Sequence, residues 1–204
     1  MTAPTERVFH EIELMSRVWD YAESRGLKQS LWALDFAAKK HDGQTRKGPE
    51  GVPYIIHPLY MACQAISLGI ADDELLVAVL LHDVCEDRGV LTEDLQVSES
   101  VREAVRLVTR IGSKADEAAE KAYYRAISEN RLASMVKLLD RCHNVAFLAL
   151  GMKDEKLQRY VRETETHFYP LFETTAERWP EYSQACWQLK YQTASQLQTI
   201  KALT

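Results

Sequence analysis

The sequence predicts an all-α fold, and three observations support this class. Apolar residues recur at intervals of three and four, as in Phe9, Ile12, Met15, Trp19 and Ala22, and again in Leu31, Leu34 and Ala38. Glycine and proline number only 8 and 6 in 204 residues, so there are few points at which a helix must end. Alternating strand patterns and Asn-Gly turns are missing from the sequence. We expect a single domain over residues 1–204, with roughly eight to ten helices of ordinary length.

The individual helices follow from their end signals. Residues 59–68 form one predicted helix, closed by Gly69, and residues 73–86 form the next, capped by Asp72 or Asp73. From Ser113 to Leu150 no glycine or proline interrupts the helical pattern, and Gly151 ends it. Helices over 154–174 and 181–202 follow, with Pro180 near the start of the last.

One loop interrupts this helical pattern. Six of the glycines and prolines fall within a short stretch, namely Gly43, Gly48, Pro49, Gly51, Pro53 and Pro58. So many residues of this kind close together predict a loop before the helix at 59–68.

Composition and charge exclude several classes of protein. The formal net charge is −5 and the basic residues form no block, which argues against a general nucleic-acid binder. The longest unbroken apolar run, Leu75 to Leu81, is too short to cross a bilayer. The N-terminus lacks the order of a secretory signal, and the cysteines form no C-x-x-C motif. We therefore expect a cytoplasmic protein with reduced thiols at Cys63, Cys85, Cys142 and Cys186.

The segment LLHDVCED concentrates polar chemistry in an apolar helix. If the helix is continuous, His82 and Glu86 share one face, and so do Asp83 and Asp87. Burying these groups without partners is costly, and a divalent cation would offset the cost. The alternative is a solvated helix end, but the acidic pair at Asp83 and Asp87 would then be mutually repulsive.

Two further segments extend this candidate metal site. In KLLDRCHNV, Asp140 follows an apolar run and stands four residues before Asn144. In PYIIHP, His57 precedes Pro58, which places it at a helix entry. His57, His82, Asp83 and Asp140 form a set of two imidazoles and two carboxylates, which suits Mn, Fe or Zn and leaves positions for water.

The motifs HDGQTRKGPEGVPYIIHP, LLHDVCED and VKLLDRCHNV, in this order, resemble the HD-domain hydrolases of the RelA/SpoT alarmone superfamily. The resemblance covers residues 31–171, which we take as the catalytic core, and the C-terminal helix at 181–202 lies beyond it. The long RKGPEGVPY loop is most similar to that of the stand-alone small alarmone hydrolases. We expect no synthetase half like that of the bifunctional enzymes, because the resemblance leaves too few residues to form it. Cys142 departs from the pattern, at a position that is usually aliphatic.

The resemblance implies a function and a role for each matching residue. His57, His82, Asp83 and Asp140 match the ligands of Mn²⁺, and Glu86 and Asp87 match the acidic pair that activates the attacking water. Arg46 and Lys47 match the basic pair of the nucleotide site, and Asn144 matches an asparagine that contacts the nucleotide. The implied reaction is removal of the 3′-pyrophosphate of (p)ppGpp, which yields GDP or GTP.

Other interpretations stay open at this point. The same site could act on (p)ppApp or on the 2′-phosphate of NADPH, or the domain could bind alarmones without catalysis. Among the remaining candidates, the dipeptide His41-Asp42 lacks a following acidic pair and is interpreted as structural. His10, His143 and His167 are interpreted as surface or packing residues, with His143 at the pocket edge as an option. Tyr54 is expected to pack under the loop, with contact to the substrate as the alternative. The sequence does not indicate an oligomeric state.

Overall fold

The computed structural model describes residues 10–46, 51–110, 117–146 and 154–203, and their regular structure is helical apart from one isolated β-bridge between Thr45 and Pro53. This confirms the predicted all-α class. The α-helices in chain order are α1 Glu11–Ser24, α2 Lys28–Lys40, α3 Ile56–Ser67, α4 Asp73–Leu81, α5 Val84–Arg88, α6 Glu99–Val108, α7 Glu117–Ser128, α8 Arg131–Ala146, α9 Asp154–Glu163, α10 Tyr169–Arg178 and α11 Ser183–Leu203.

Helix α4 lies at the centre of the core. Every residue from Leu75 to Leu81 is buried, and the helix packs against α2, α3, α6 and α8. A helix that is apolar on all sides is stable only when other helices surround it. Burial of one such leucine stabilises the folded state by about 2 kcal/mol relative to exposure. Helix α4 is therefore firmly held in the core, and so is the position of its C-terminal end at Leu81.

Helix α8 is the second central element and contacts α3, α4, α6, α7, α10 and α11. Its N-terminus is marked by Asn130, whose side-chain oxygen accepts a hydrogen bond from the backbone N–H of Ala133 at 2.9 Å. The expected uninterrupted pattern from 113 onward is therefore broken between α7 and α8, because an asparagine cap starts a new helix there. Residues 147–153, which include the expected stop at Gly151, lie outside the described residues.

The ends of α3 and α4 largely agree with the sequence signals. Gly69 follows α3 with a positive φ of 72°, which glycine adopts without steric strain. Asp72 caps α4, since its carboxylate accepts a hydrogen bond from the N–H of Leu75 at 2.8 Å. Helix α3 begins at Ile56 rather than at 59, so that His57 and Pro58 occupy its first turn.

The predicted helix over 73–86 is wrong in one respect. Helix α4 ends at Leu81, His82 and Asp83 form a turn, and a short helix α5 follows. The side chain of His82 hydrogen-bonds the carbonyl oxygen of Val79 at 2.8 Å, which draws the imidazole back along α4. His82 and Asp83 therefore lie in a turn between two helices and not on the surface of one continuous helix.

Helices α9 and α10 are joined by a π-helical turn at Thr164–Phe168. The N–H of Tyr169 donates to the carbonyl of Thr164, five residues earlier, which is the hydrogen bond that defines a π-helix. Thr164 and Phe168 are buried in this turn. Helix α9 is thus joined to α10 by a locally widened segment of helix.

Two smaller expectations concern the cysteines and the membrane. All four cysteines are free thiols, with Cys63, Cys142 and Cys186 buried and Cys85 partly so, as predicted. Among the described residues, no helix combines the length and the apolar character that crossing a membrane requires.

Candidate metal and nucleotide site

Three separate segments bring the four predicted metal-site residues together. His57 enters from α3, His82 and Asp83 from the turn after α4, and Asp140 from the middle of α8. The Nε2 atom of His57 lies 3.3 Å from Asp140 Oδ1 and 3.6 Å from Asp83 Oδ2. His82 Nε2 lies 3.0 Å from the same Oδ2 atom of Asp83. The nitrogens and oxygens of these side chains thus converge on one point.

Each histidine is oriented through its other ring nitrogen. Nδ1 of His82 donates to the carbonyl of Val79 at 2.8 Å, and Nδ1 of His57 shares a hydrogen bond of 2.7 Å with Nδ1 of His143. Hydrogen bonds of this kind fix the tautomer and the ring direction of metal-binding histidines. His143, for which packing was one of the interpretations from the sequence, is buried and contacts His57.

The carboxylates of Asp83 and Asp140 each accept a hydrogen bond from a neighbouring side chain. The hydroxyl of Tyr54 donates to Asp83 at 2.5 Å, and the ammonium of Lys137 donates to Asp140 at 3.1 Å. The structure corrects the expectation for Tyr54, which contacts a site carboxylate instead of only packing under the loop. Burial alone would raise the pKa of Asp140, but the charge of Lys137 and the contact with His57 hold it well below its usual range.

These residues attract positive charge to the point of convergence. Burial disfavours the charged form of His82, yet the charge of Asp83 and its contact outweigh this and raise the pKa of His82 to about 9. The pKa of His57 is lowered, chiefly by burial, which keeps its Nε2 lone pair available. The environment therefore favours a cation between the carboxylates and neutral imidazole at His57.

The donor set fits a divalent metal ion. Nε2 of His82 is buried and makes no hydrogen bond to any described residue, although its Nδ1 is satisfied. His57, His82 and Asp83 each offer a ligand atom within 4.8 Å of the others. Ligand atoms about 2.1 Å from one ion lie roughly 3 Å apart, which is the spacing found here. Two nitrogens and two oxygens suit Mn, Fe or Zn, and a metal site at this position is consistent with the sequence prediction.

A cavity of about 320 Å³ opens over the convergent side chains. Its wall includes His57, Asp83 and Asp140 from the candidate metal site. Four cationic side chains also line it, namely Arg46, Arg110, Lys137 and Arg141. The remaining wall is formed by two carboxylates and by polar or aromatic side chains: Glu86, Glu163, Tyr54, Tyr124, Tyr160 and Asn144. Such a set of fixed cations beside carboxylates suits a phosphorylated ligand.

Arg46 connects the loop to the candidate metal site. Its guanidinium donates to the side-chain oxygen of Asn144 at 2.8 Å, and the amide nitrogen of Asn144 donates in turn to Asp140. The loop that carries Arg46 is itself paired, since Arg46 N–H donates to Val52 O at 2.9 Å and Tyr54 N–H donates to Gln44 O at 2.8 Å. Lys47, the other half of the predicted basic pair, lies outside the described residues.

The two residues of the predicted acidic pair, Glu86 and Asp87, accept hydrogen bonds from different donors. Glu86 lies in the cavity wall and accepts a hydrogen bond from the backbone N–H of Arg110 at 3.0 Å. Asp87 accepts one from the side-chain amide of Gln44 at 2.8 Å. Both carboxylates are exposed to solvent.

Several residues of the cavity wall were not predicted from the sequence. Arg141 and Glu163 form a buried ion pair with Nη2 and Oε2 2.8 Å apart, and Tyr124 donates to the other oxygen of Glu163 at 2.8 Å. Lys137 could have been found, because it lies one turn before Asp140 on the same helix. Glu163 lies far along the chain, and no local pattern points to it.

Comparison with known proteins identifies the family. The family model described as an HD domain matches residues 33–175, which is most of the chain. The chain belongs to the HD-domain family. The family predicted from the motifs is therefore confirmed.

Relatives within this family share a printed function. The mouse and human proteins named guanosine-3′,5′-bis(diphosphate) 3′-pyrophosphohydrolase MESH1 are 35% and 34% identical over 140 and 145 residues, each covering 65% of this HD-domain chain and 78% of the relative. A protein of Aquifex aeolicus with the same enzymatic name is 37% identical over 145 residues, or 68% of this chain. The chain spans only 20% of that relative and 22% of the bifunctional (p)ppGpp synthase/hydrolase SpoT of Escherichia coli.

A solved structure supports the fold. It is described as a metazoan ortholog of SpoT that hydrolyses ppGpp, and it superposes with a TM-score of 0.62 over 84% of this HD-domain chain and 94% of its own. At 23% sequence identity this likeness concerns the helical architecture alone.

Proposed function

We propose that this chain hydrolyses the 3′-pyrophosphate of (p)ppGpp with the help of Mn²⁺, releasing pyrophosphate and GDP or GTP. The observation that carries the proposal is the convergence of His57, His82, Asp83 and Asp140 beside a cavity with four fixed cations. The relatives that bear this enzymatic name support the substrate class.

The metal ligands in this proposal are the two Nε2 atoms and one oxygen each of Asp83 and Asp140. When bound, the ion supplies a Lewis acid that lowers the pKa of water and polarises a phosphoryl oxygen. Val79 and His143 keep the imidazoles in place through their Nδ1 atoms, while Tyr54 and Lys137 fix the carboxylates. The ligands are therefore oriented before the ion binds.

The acidic pair handles the attacking water. Glu86 lies in the cavity wall, where its side chain can accept the proton of the water as the water oxygen attacks the phosphorus at the 3′ position. The bond from that phosphorus to the 3′ oxygen breaks, and the 3′ oxygen leaves with a proton as a hydroxyl group. Asp87, the next residue of α5, orients the water or Glu86.

The cations bind the rest of the nucleotide. Arg46 is assigned to the substrate because it lines the cavity, and Lys47 because it matches the second residue of the family's basic pair. Asn144 couples Arg46 to the metal ligand Asp140. A planar guanidinium can bind phosphate through two hydrogen bonds and can also stack on a base. In this overall acidic protein the local positive charge attracts a polyanion.

A substrate panel tests the proposal. The purified chain is incubated with Mn²⁺ and ppGpp, pppGpp, ppApp or NADPH, and the products are separated by ion-exchange chromatography. We expect GDP and pyrophosphate from ppGpp, and no turnover by the His82→Ala variant. Inorganic phosphate from NADPH with intact ppGpp would contradict the proposal, as would binding of ppGpp without any product.

A further inference from the structure

The acidic residue Asp87 is held by a short chain of hydrogen bonds that begins in the core. Nδ1 of His41 lies 2.8 Å from Oε1 of Gln44, and Nε2 of Gln44 lies 2.8 Å from Oδ2 of Asp87. A carboxylate accepts and does not donate, so the amide nitrogen of Gln44 must face Asp87. The amide oxygen then faces His41, and the imidazole donates to it.

The starting point of this chain is rigid. His41 is only 2% exposed, and its ring stacks on Tyr54 with the centroids 4.8 Å apart. Burial lowers the pKa of His41, so the ring is neutral and its single proton lies on Nδ1, where Gln44 accepts it. A buried neutral imidazole with a fixed tautomer gives the amide only one orientation that satisfies both hydrogen bonds.

The middle of the chain is equally constrained. The backbone N–H of Gln44 donates to His41 O at 3.0 Å, and its carbonyl accepts from the N–H of Tyr54 at 2.8 Å. Asp87 itself is tied to α5, since its N–H donates to Asp83 O at 2.9 Å. The side chain of Gln44 thus spans two fixed pieces of backbone.

We propose that Gln44, oriented by His41, is a positioning residue that holds the carboxylate of Asp87 in its reactive direction. The inference rests on the role proposed above for Asp87. It assigns a function to the buried His41, which was interpreted from the sequence as structural. Through Tyr54, which donates to Asp83, the same imidazole also supports a metal-site carboxylate.

A double-mutant cycle tests whether Gln44 acts through Asp87. We expect Gln44→Leu to lower kcat by about ten- to hundred-fold, with metal content and KM for ppGpp little changed, the scale found for residues that orient active-site groups. In the Asp87→Asn background the same change should have almost no further effect. Gln64→Leu is the matched control, because Gln64 hydrogen-bonds Gln192 outside the site, and it should retain full kcat.

Conservative variants keep the test independent of folding. Asparagine can present its amide N–H near the position of Nδ1, so His41→Asn should retain much of kcat while His41→Leu should lose it. Gln44→Met serves if Gln44→Leu melts at a markedly lower temperature. Additive effects of Gln44→Leu and Asp87→Asn, or full kcat in Gln44→Leu, would overturn the inference.

A readout without substrate separates this inference from the proposed function. In ¹⁵N-labelled protein, the side-chain amide signals of Gln44, assigned by their loss in Gln44→Met, should shift in both Asp87→Asn and His41→Leu. The amide signals of Gln64 should stay in place. Unmoved Gln44 signals would overturn the hydrogen-bond chain even if ppGpp is hydrolysed, whereas shifted signals without hydrolysis would refute only the proposed substrate.

Discussion

Arg141 and Glu163 form a buried ion pair across the cavity wall, with Nη2 of the arginine 2.8 Å from Oε2 of the glutamate. Their side chains are only 6% and 14% exposed, and the guanidinium also lies 4.0 Å from the centre of the Phe168 ring. The pair joins α8 to α9, so it fixes one wall of the cavity against the helix that carries Asp140. Removing one partner would leave a buried charge behind.

The first prediction concerns the stability contributed by this pair. Arg141→Met should lower the free energy of unfolding by about 3–5 kcal/mol, because Glu163 loses its main counter-charge in a buried position. Arg106→Met is the control, since Arg106 pairs with Glu103 on an exposed helix surface and should change the free energy by less than about 1 kcal/mol. Urea denaturation of both variants gives the comparison. Equal effects would contradict a buried pair.

The second prediction concerns metal removal. Mn²⁺ at about a hundred times its dissociation constant should add about 2.7 kcal/mol to the free energy of unfolding, or about 5–10 °C in melting temperature. His82→Ala should lose most of this shift because it removes one imidazole ligand. Mg²⁺ should act more weakly, since it prefers oxygen ligands. Thermal melts with chelator, Mn²⁺ and Mg²⁺ provide the test, and an equal Mn²⁺ shift in the variant would refute the ligand assignment.

The third prediction tests whether Glu86 acts as a general base or as a metal ligand. Glu86→Gln should retain the metal and the KM for ppGpp but lose about 10²–10⁴-fold in kcat, which is the usual contribution of a general base. Its neighbour Glu93 lies on the exposed turn after α5, and Glu93→Gln should leave kcat unchanged. Steady-state kinetics together with metal analysis of the purified variants decide the matter. Loss of metal with a high residual rate would make Glu86 a ligand instead.

The fourth prediction concerns the basic pair. Arg46→Ala should raise KM for ppGpp by about ten- to hundred-fold, the equivalent of about 1.5–3 kcal/mol for a hydrogen bond to a charged group. The effect of Lys47→Ala should shrink as the salt concentration rises, because screening weakens a simple charge interaction. Arg25→Ala, on an exposed surface next to Tyr21, is the control. Unchanged KM in both variants at two ionic strengths would mean that the nucleotide binds elsewhere.

Much of the fold was predictable because its signals are local. The cap at Asp72, the stop at Gly69 and the apolar run of α4 each depend on residues within one or two helical turns. The break at His82 was not predictable in this way. It depends on the imidazole hydrogen-bonding its own helix at Val79, while its second nitrogen lies 3.0 Å from Asp83 Oδ2 and its ring lies beside that of His57 on α3.

The candidate site likewise contains residues that local sequence signals predict and contacts that depend on tertiary packing. His57, His82, Asp83 and Asp140 stand in recognisable motifs, so their proximity could be predicted from the sequence. Tyr54 and His143 orient them and stand in the same motifs. Their contacts depend on the packing between α3, α8 and the paired loop, which the motifs do not specify. Glu163 depends on the course of the chain after α8, which no local pattern encodes.

The π-helical turn at Thr164–Phe168 also has a consequence for how this chain tolerates insertions and deletions. Each residue in an α-helix advances the direction of a side chain by about 100°, so the extra residue in the π-turn offsets α9 against α10 by that angle. Deleting one residue there would restore a regular helix but rotate Tyr160 and Glu163 out of the cavity wall while leaving Phe172 in the core. The number of residues between Glu163 in the cavity wall and Phe172 in the core therefore determines which side chains line the cavity. Natural insertions and deletions should be concentrated elsewhere in the chain.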